Sequence, residues 1–306
     1  MRSTDVPELS VARVLAAYEQ RAAAICPEEM ALAARSVRRL MPPNWTLEWY
    51  LPWWLGHAFE LDASVAEDIV VSNVLGLVSI RLQDDLYDGE LGSEDVAGAR
   101  RLSAALFDEA VAVYRRRFHA TSPFWAFLER SMAEWRRASA GDGAQRGADL
   151  PGRGAPLKVA GFATCLLAGR VDRWEVLDHC LDHALTALVR YDQVRDWEDD
   201  LRAGRWNAFV AGVSPDPQTS ANRGRIRSAV LAEMMTHGVV AAEFGRVQAD
   251  AVRAARLAAE LGSPPLAAYL SNYADRTSAQ GAEIETHYRS AADRAATLMF
   301  GMASRP

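Results

Sequence analysis

Lysine is almost missing from this chain: Lys158 stands alone, and the rest of its 34 basic residues are arginine. Usage of that kind commonly follows genome composition, so the scarcity itself carries no function. Cysteine is nearly as scarce. Cys26, Cys165 and Cys180 form an odd set without metal-ligand spacing, which excludes a disulfide scaffold and a zinc ribbon and implies free thiols in a reducing cytoplasm. A positive excess is lacking too: the net charge is −6 with no strong basic block, which excludes nucleic acid as the main partner. The longest apolar run, Ile69–Ile80, is interrupted by Ser72 and Asn73 and is too short to cross a bilayer, so no transmembrane segment is expected. Met1–Gln20 alternates charged with apolar residues, unlike a secretory signal. Strand-like alternation and internal repeats are also missing, which leaves a helical chain.

What is present is apolar residues at helical spacing. Half of the 306 residues are hydrophobic, enough for a sizeable core, and one all-α domain over residues 1–306 is expected. The pattern predicts helices over Val6–Arg39 with a break at Pro27, Leu61–Asp88, Ser93–Arg117, Pro123–Ala138, Glu175–Ala203, Ile226–Leu261 and Pro265–Met302. Met41–Leu55, with three prolines, reads as an aromatic-rich bend. Its Trp45, Trp49 and Trp53 recur at helical spacing, which favours core packing over a cavity wall. Ser139–Pro156 reads as a loop, and Val213–Arg225 as a mobile one.

Two acidic stretches end helical patterns. Asp192–Asn207, DQVRDWEDDLRAGRWN, places Asp192, Asp196 and Asp200 four residues apart, so the three carboxylates drift only about 40° per step and form one stripe. Arg81–Glu90, RLQDDLYDGE, puts Asp84 and Asp88 on one face with Asp85 alongside, and Gly89 is placed to stop the helix. Like charges at that spacing repel, and the macrodipole disfavours anions at a helix C-terminus. Divalent cations with oxygen ligands would offset both costs. One such stripe reads equally well as a solvated face. Two of them, each followed by glycine, make that account the weaker one.

The pair of motifs resembles the type I isoprenoid synthase superfamily: trans-prenyl diphosphate synthases, squalene and phytoene synthases, and type I terpene cyclases. DDLYD at 84–88 is similar to its first aspartate-rich motif, DDxxD. RDWEDDLRAGR at 195–205 resembles the second motif of phytoene synthases, an RD, an ED and a GR pair in that order. Positions 192, 196 and 200 match the spacing of the cyclases' NSE triad, with aspartate at all three. The resemblance implies a helical bundle whose two acidic clusters face one central cavity. It also implies three Mg²⁺ ions, with Mn²⁺ as a substitute, held by Asp84, Asp85, Asp88, Asp192, Asp196, Asp199 and Asp200.

By the same resemblance Lys158, 38 residues ahead of Asp196, is a candidate for the diphosphate, against the reading of a surface lysine. Arg195 and Arg205 join it. Arg276, Tyr288 and Arg289 are candidates from the last helix, although the order HYRS differs from the RY pair of cyclases. Gly161 and the small residues near it suggest a helix loosened at the pocket floor. Leu181, Leu185 and Leu188 lead down one side to Asp192 as an apolar wall. His179 and His183 have a zinc-compatible spacing without a third ligand. The GGKRxRP-like motif of chain-elongating synthases is missing, which disfavours elongation. The expectation is a class I terpene synthase acting on an allylic prenyl diphosphate, with a coupling prenyl transferase as the alternative and a non-catalytic helical binding protein as the third reading. A homodimer is compatible with all three.

Overall fold

A computed structural model of the chain describes residues 8–140, 150–214 and 218–303, side chains at 140, 291–293 and 295–303 excepted. Residues 6–7 of the expected first helix, 141–149 of the expected 139–156 loop and 215–217 of the expected 213–225 loop lie outside the described residues. Among those described there are thirteen α-helices and no strand, the all-α class that the spacing predicts.

The chain divides into two compact units. One comprises Met1–Ala140, Gly152–His179 and Leu257–Leu266; the other comprises Gly141–Pro151, Cys180–Arg256 and Ala267–Pro306. The first contains α1 (Val11–Ile25), α2 (Met30–Arg39), α3 (Thr46–Ala58), α4 (Ala63–Tyr87), α5 (Val96–Arg115), α6 (Pro123–Ala140) and α7 (Ala155–Leu167). Helix α8 (Trp174–Arg195) starts in the first unit and ends in the second. There α9 (Trp197–Ala203), α10 (Ala208–Val213), α11 (Arg223–Thr236) and most of α12 (Val239–Glu260) and α13 (Pro264–Ala303) follow.

Helix α4 is the axis of the first unit and touches α1, α2, α3, α5 and α7. Its start is set by Asp62, whose carboxylate accepts from the amides of Ser64 and Val65 at 2.8 and 3.4 Å. Val70, Val74, Leu75 and Val78 are fully buried, each contributing about 1.5–3 kcal/mol. The β-branched residues that would weaken an isolated helix are supported here by packing on every side. By length and composition α4 alone among the described helices is apolar enough to span a membrane, which exceeds what the interrupted run Ile69–Ile80 implied. Half of that window is buried against its neighbours, as suits a core helix.

Helix α3 departs from expectation. Where a bend was expected, Thr46–Ala58 is helical straight through Pro52. Proline at 52 has no amide to give the carbonyl four residues back, that of Glu48. The Nδ2 of Asn73, reaching over from α4, donates to that carbonyl instead. Trp49 is fully buried with Nε1 donating to Leu40 O at 2.6 Å, and Trp53 is buried too, so the core reading of these tryptophans fits. Trp45 is half-buried, with the Arg81 guanidinium 5.9 Å from its ring.

Three further helices differ from the pattern. Helix α7 runs unbroken through Gly161, because Ala160, Gly161, Ala163 and Thr164 are buried in close packing that leaves the backbone no freedom to open. The expected helix Glu175–Ala203 is two, parted at Asp196, where φ is −100° and ψ 8°. The expected helix Ile226–Leu261 is also two, parted at Gly238, whose φ of +62° glycine adopts without strain.

Asn73→Ala should lower stability by about 1–3 kcal/mol, the cost of leaving the Glu48 carbonyl without that donor. Introduced with Pro52→Ala, the same change should cost measurably less, since the new amide at 52 supplies the missing bond. Chemical denaturation of the four proteins in that cycle tests this; additive losses would contradict the role given to Asn73.

Candidate active site: two acidic helix ends

The first acidic end closes α4. Asp88 N donates to Asp84 O, Gly89 takes φ +67°, and Glu90 N donates back to Asp85 O at 2.9 Å. That is the wrapped glycine stop expected from the sequence. The three carboxylates point differently because successive residues turn by about 100°. Asp85 is turned inward, 3% exposed, and accepts from Arg39 and Arg81, each at 3.1 Å. Asp84 is half-buried with Arg81 Nη1 at 3.7 Å, and Asp88 is exposed. Burial pushes the Asp84 carboxyl up to about 6; Arg81 and Arg153 act the other way, and Asp88 and Asp85 add to the rise.

The second acidic end spans the break between α8 and α9. Backbone bonds from Asp196 N to Asp192 O and from Asp200 N to Asp196 O, both 2.9 Å, carry the helical ladder across it. The aspartate stripe therefore survives although the helix does not. Gly204 takes φ +78° and Arg205 N donates to Asp200 O at 2.8 Å, the same closure as at Gly89. Arg195 forks onto Asp196 with bonds of 2.8 and 3.0 Å, lies 3.5 Å from Asp192, and stacks over the Tyr191 ring. The Asp196 carboxylate raises the Arg195 guanidinium above its usual range. Asp200, mostly buried, accepts from Arg205 Nε and from Asn207 Nδ2, both at 2.9 Å. Asp199 is exposed and paired with Arg202.

Asn207 ties the chain beyond Gly204 back onto α8. It is fully buried: its Nδ2 also donates to Gln193 O at 2.9 Å, and its Oδ1 caps α10 by accepting from Val210 N at 3.1 Å. The Gln218 side chain grips the Asn207 backbone at both N–H and C=O.

The remaining candidates are placed variously. Lys158 is no surface lysine: it is buried in the first turn of α7, with Nζ 2.8 Å from Asp178. Arg289 is exposed and paired with Glu285, and Arg276 is exposed. Tyr288 packs on the α9–α12 core, where burial raises its hydroxyl, with Glu198 adding to the rise and Arg227 opposing it. That brings one of the expected final-helix residues to the second acidic end. His183 is bonded to Asp250 at 3.0 Å.

Arg39 and Arg153 carried no sequence signal, since neither lies near a motif. Tyr273 was missed as well; its hydroxyl is buried near Asp192 with no hydrogen-bond partner among the described residues.

Carboxylate oxygens are the donors Mg²⁺ takes, and one or two per ion suffice when waters and phosphate complete the shell. Asp84, Asp88 and Asp192 fit that requirement in kind and exposure; Asp85 and Asp200 are buried and hold two donors each, and Asp196, half-exposed, holds the forked Arg195. Among the described residues no cluster of three or more His, Cys, Asp or Glu is set to hold an ion by itself. Compared with protein-family models, curated proteins and solved structures, the chain matches none.

The raised Asp84 carboxyl has a consequence for stability. An unfolded aspartate loses its proton near pH 4 and the folded Asp84 near 6, so folding becomes less favourable as pH rises through that window. Asp84→Asn should therefore melt higher than the parent at about pH 7.5, by on the order of 2–3 kcal/mol, with the gap closing near pH 4. Thermal melts across pH check this; a gap independent of pH would contradict it.

Proposed function

We propose that this chain is a class I terpene synthase that ionises an allylic prenyl diphosphate with the help of Mg²⁺. One observation carries the reading: two separate helices end in aspartate stripes, each closed by a left-handed glycine and each interleaved with arginine. The glycine closure itself recurs at Gly169 and Gly262 without an aspartate stripe, so it is the paired aspartate stripes with their arginines that support the reading.

In this reading Asp84 and Asp88 would be Mg²⁺ ligands at the first acidic end and Asp192 and Asp196 at the second, with phosphate oxygens and waters completing each shell. Bound Mg²⁺ supplies positive charge that offsets the charge gathering on the departing diphosphate. Arg195 and Arg205 are the nearest guanidiniums to the second stripe, and their forks suit phosphate as well as carboxylate. Exchanging an aspartate for a diphosphate oxygen keeps each guanidinium paired. Arg81, 3.7 Å from Asp84, is the corresponding guanidinium at the first end, with the charge of Arg153 also felt there. Lys158 enters by resemblance only, because its ammonium is already paired with Asp178.

The chemistry is a heterolysis. The carbon–oxygen bond breaks, its electron pair leaves with diphosphate, and the allylic cation closes on its own double bonds before losing a proton to diphosphate. Leu181, Leu185 and Leu188, successive along α8 above Asp192, offer the cation an apolar wall without a nucleophile.

A second reading rests on one specific feature. The order RD, ED, GR in Arg195–Arg205 resembles phytoene synthases, which couple two prenyl units.

Purified protein with Mg²⁺ and geranyl, farnesyl, geranylgeranyl or geranylfarnesyl diphosphate should release a hydrocarbon or alcohol detectable by mass spectrometry. Product formed only from two prenyl units would favour the transferase, and no turnover with no Mg²⁺-dependent stabilisation by pyrophosphate would favour a binding protein. Asp84→Ala and Asp196→Ala should each lower turnover by about a hundredfold or more with helical content unchanged. Parent-like rates in either would sink the site assignment.

A further inference from the structure

The second unit contains a cavity of about 290 Å³ between α8, α10 and α12. Arg190 and Gln193, three apart on α8, present to it one face of that helix. Asp192 is two residues from Arg190, about 200° round the helix, so that carboxylate faces away from the cavity, and no stripe aspartate is in the lining. Opposite, Glu243 and Arg246 share a face of α12 in the same way.

The charges in the lining do not cancel. Arg190 and Arg246 bring two positive charges and Glu243 one negative, and Gln193 is neutral. Glu243 is nearly buried and spends both carboxylate oxygens on these arginines: Oε1 accepts from Arg190 at 2.6 Å and Oε2 from Arg246. Each guanidinium carries five N–H donors, and Glu243 engages one on each. The Nε of Arg190 is buried without an acceptor among the described residues. It lies 3.7 Å from Asp250, which is outside the lining and is bonded to His183. The lining brings one net positive charge, with Asp250 standing outside it against Arg190 Nε, and a guanidinium fork suits a single oxyanion. The other wall is apolar, made by Leu150, Phe209, Val213 and Val239. The volume equals the liquid share of about ten waters, near the lower end for small-molecule sites.

We propose that this cavity is a binding site for a small organic carboxylate with an apolar body, its carboxylate taken by Arg190 and Arg246 and its body by Phe209 and its neighbours. A single charge matches the lining better than a phosphate dianion, and the arginine fork matches a planar carboxylate. The cavity shares no lining residue with the acidic stripes, and its ligand is tested without reference to the synthase reading.

The probe is benzoate, titrated calorimetrically into the full-length protein without Mg²⁺ or diphosphate, with benzyl alcohol as the uncharged comparison. Two variants act by different means. Arg246→Gln removes one charge from a largely exposed side chain. Gly212→Leu fills the cavity without touching a charge, since a Cβ at Gly212 meets no atom within 4 Å. Benzoate should bind saturably at one site, and each variant should weaken it by about tenfold or more with its melting temperature kept. Benzyl alcohol should bind at least about tenfold more weakly than benzoate. The proposal is overturned if benzoate fails to saturate, if benzyl alcohol binds as well, or if Gly212→Leu leaves benzoate affinity unchanged.

Discussion

Carboxylates massed at a helix end repel one another, and arginine holds them in place. Asp85 takes two guanidiniums, Asp196 a forked one, and Asp200 another with an amide beside it. At Asp85 the pairing also offsets the partial negative charge of the α4 C-terminus, whereas Asp196 and Asp200 stand at the N-cap and first turn of α9, where the dipole favours them. The buried members gain most, since a carboxylate out of water without a partner is costly.

The same pairing explains why the two ends are chemically graded. At the first, Asp85 is locked and Asp88 open, with Asp84 between them, partly desolvated and easily protonated. At the second, Asp200 is locked and Asp192 faces out. The locked residue in each case also offers its backbone carbonyl to the residue after glycine, so main chain and side chain are fixed by the same residue. What is rigid at each end is therefore inner and structural, and what is accessible is outer and available to a ligand.

Local signals carried much of this. Helical class, the stops at Gly89 and Gly204, the break at Pro27 and the aspartate stripes all reflect spacing and the conformations glycine and proline prefer. What escaped depends on residues distant in sequence. Arg39 reaches Asp85 across 46 positions, and nothing near Arg39 marks it. Pro52 argued for a bend because the partner that excuses it, Asn73, sits on another helix. Lys158 was read as a diphosphate ligand or a surface lysine, and its buried pairing with Asp178, twenty residues on, had no local mark. The parting at Asp196 was invisible because the hydrogen-bond ladder, and hence the spacing, continues across it.

Helix α4 also bears on how the chain is made. A segment that apolar is one that insertion machinery would accept and that unprotected chains would stick by. Its main covers are α3, immediately before it, and α5, immediately after. During synthesis the hazardous stretch thus emerges with one partner already made and the next only a few residues behind. Most of its cover comes from short-range docking, and α7 adds the rest once the second half of the polypeptide arrives.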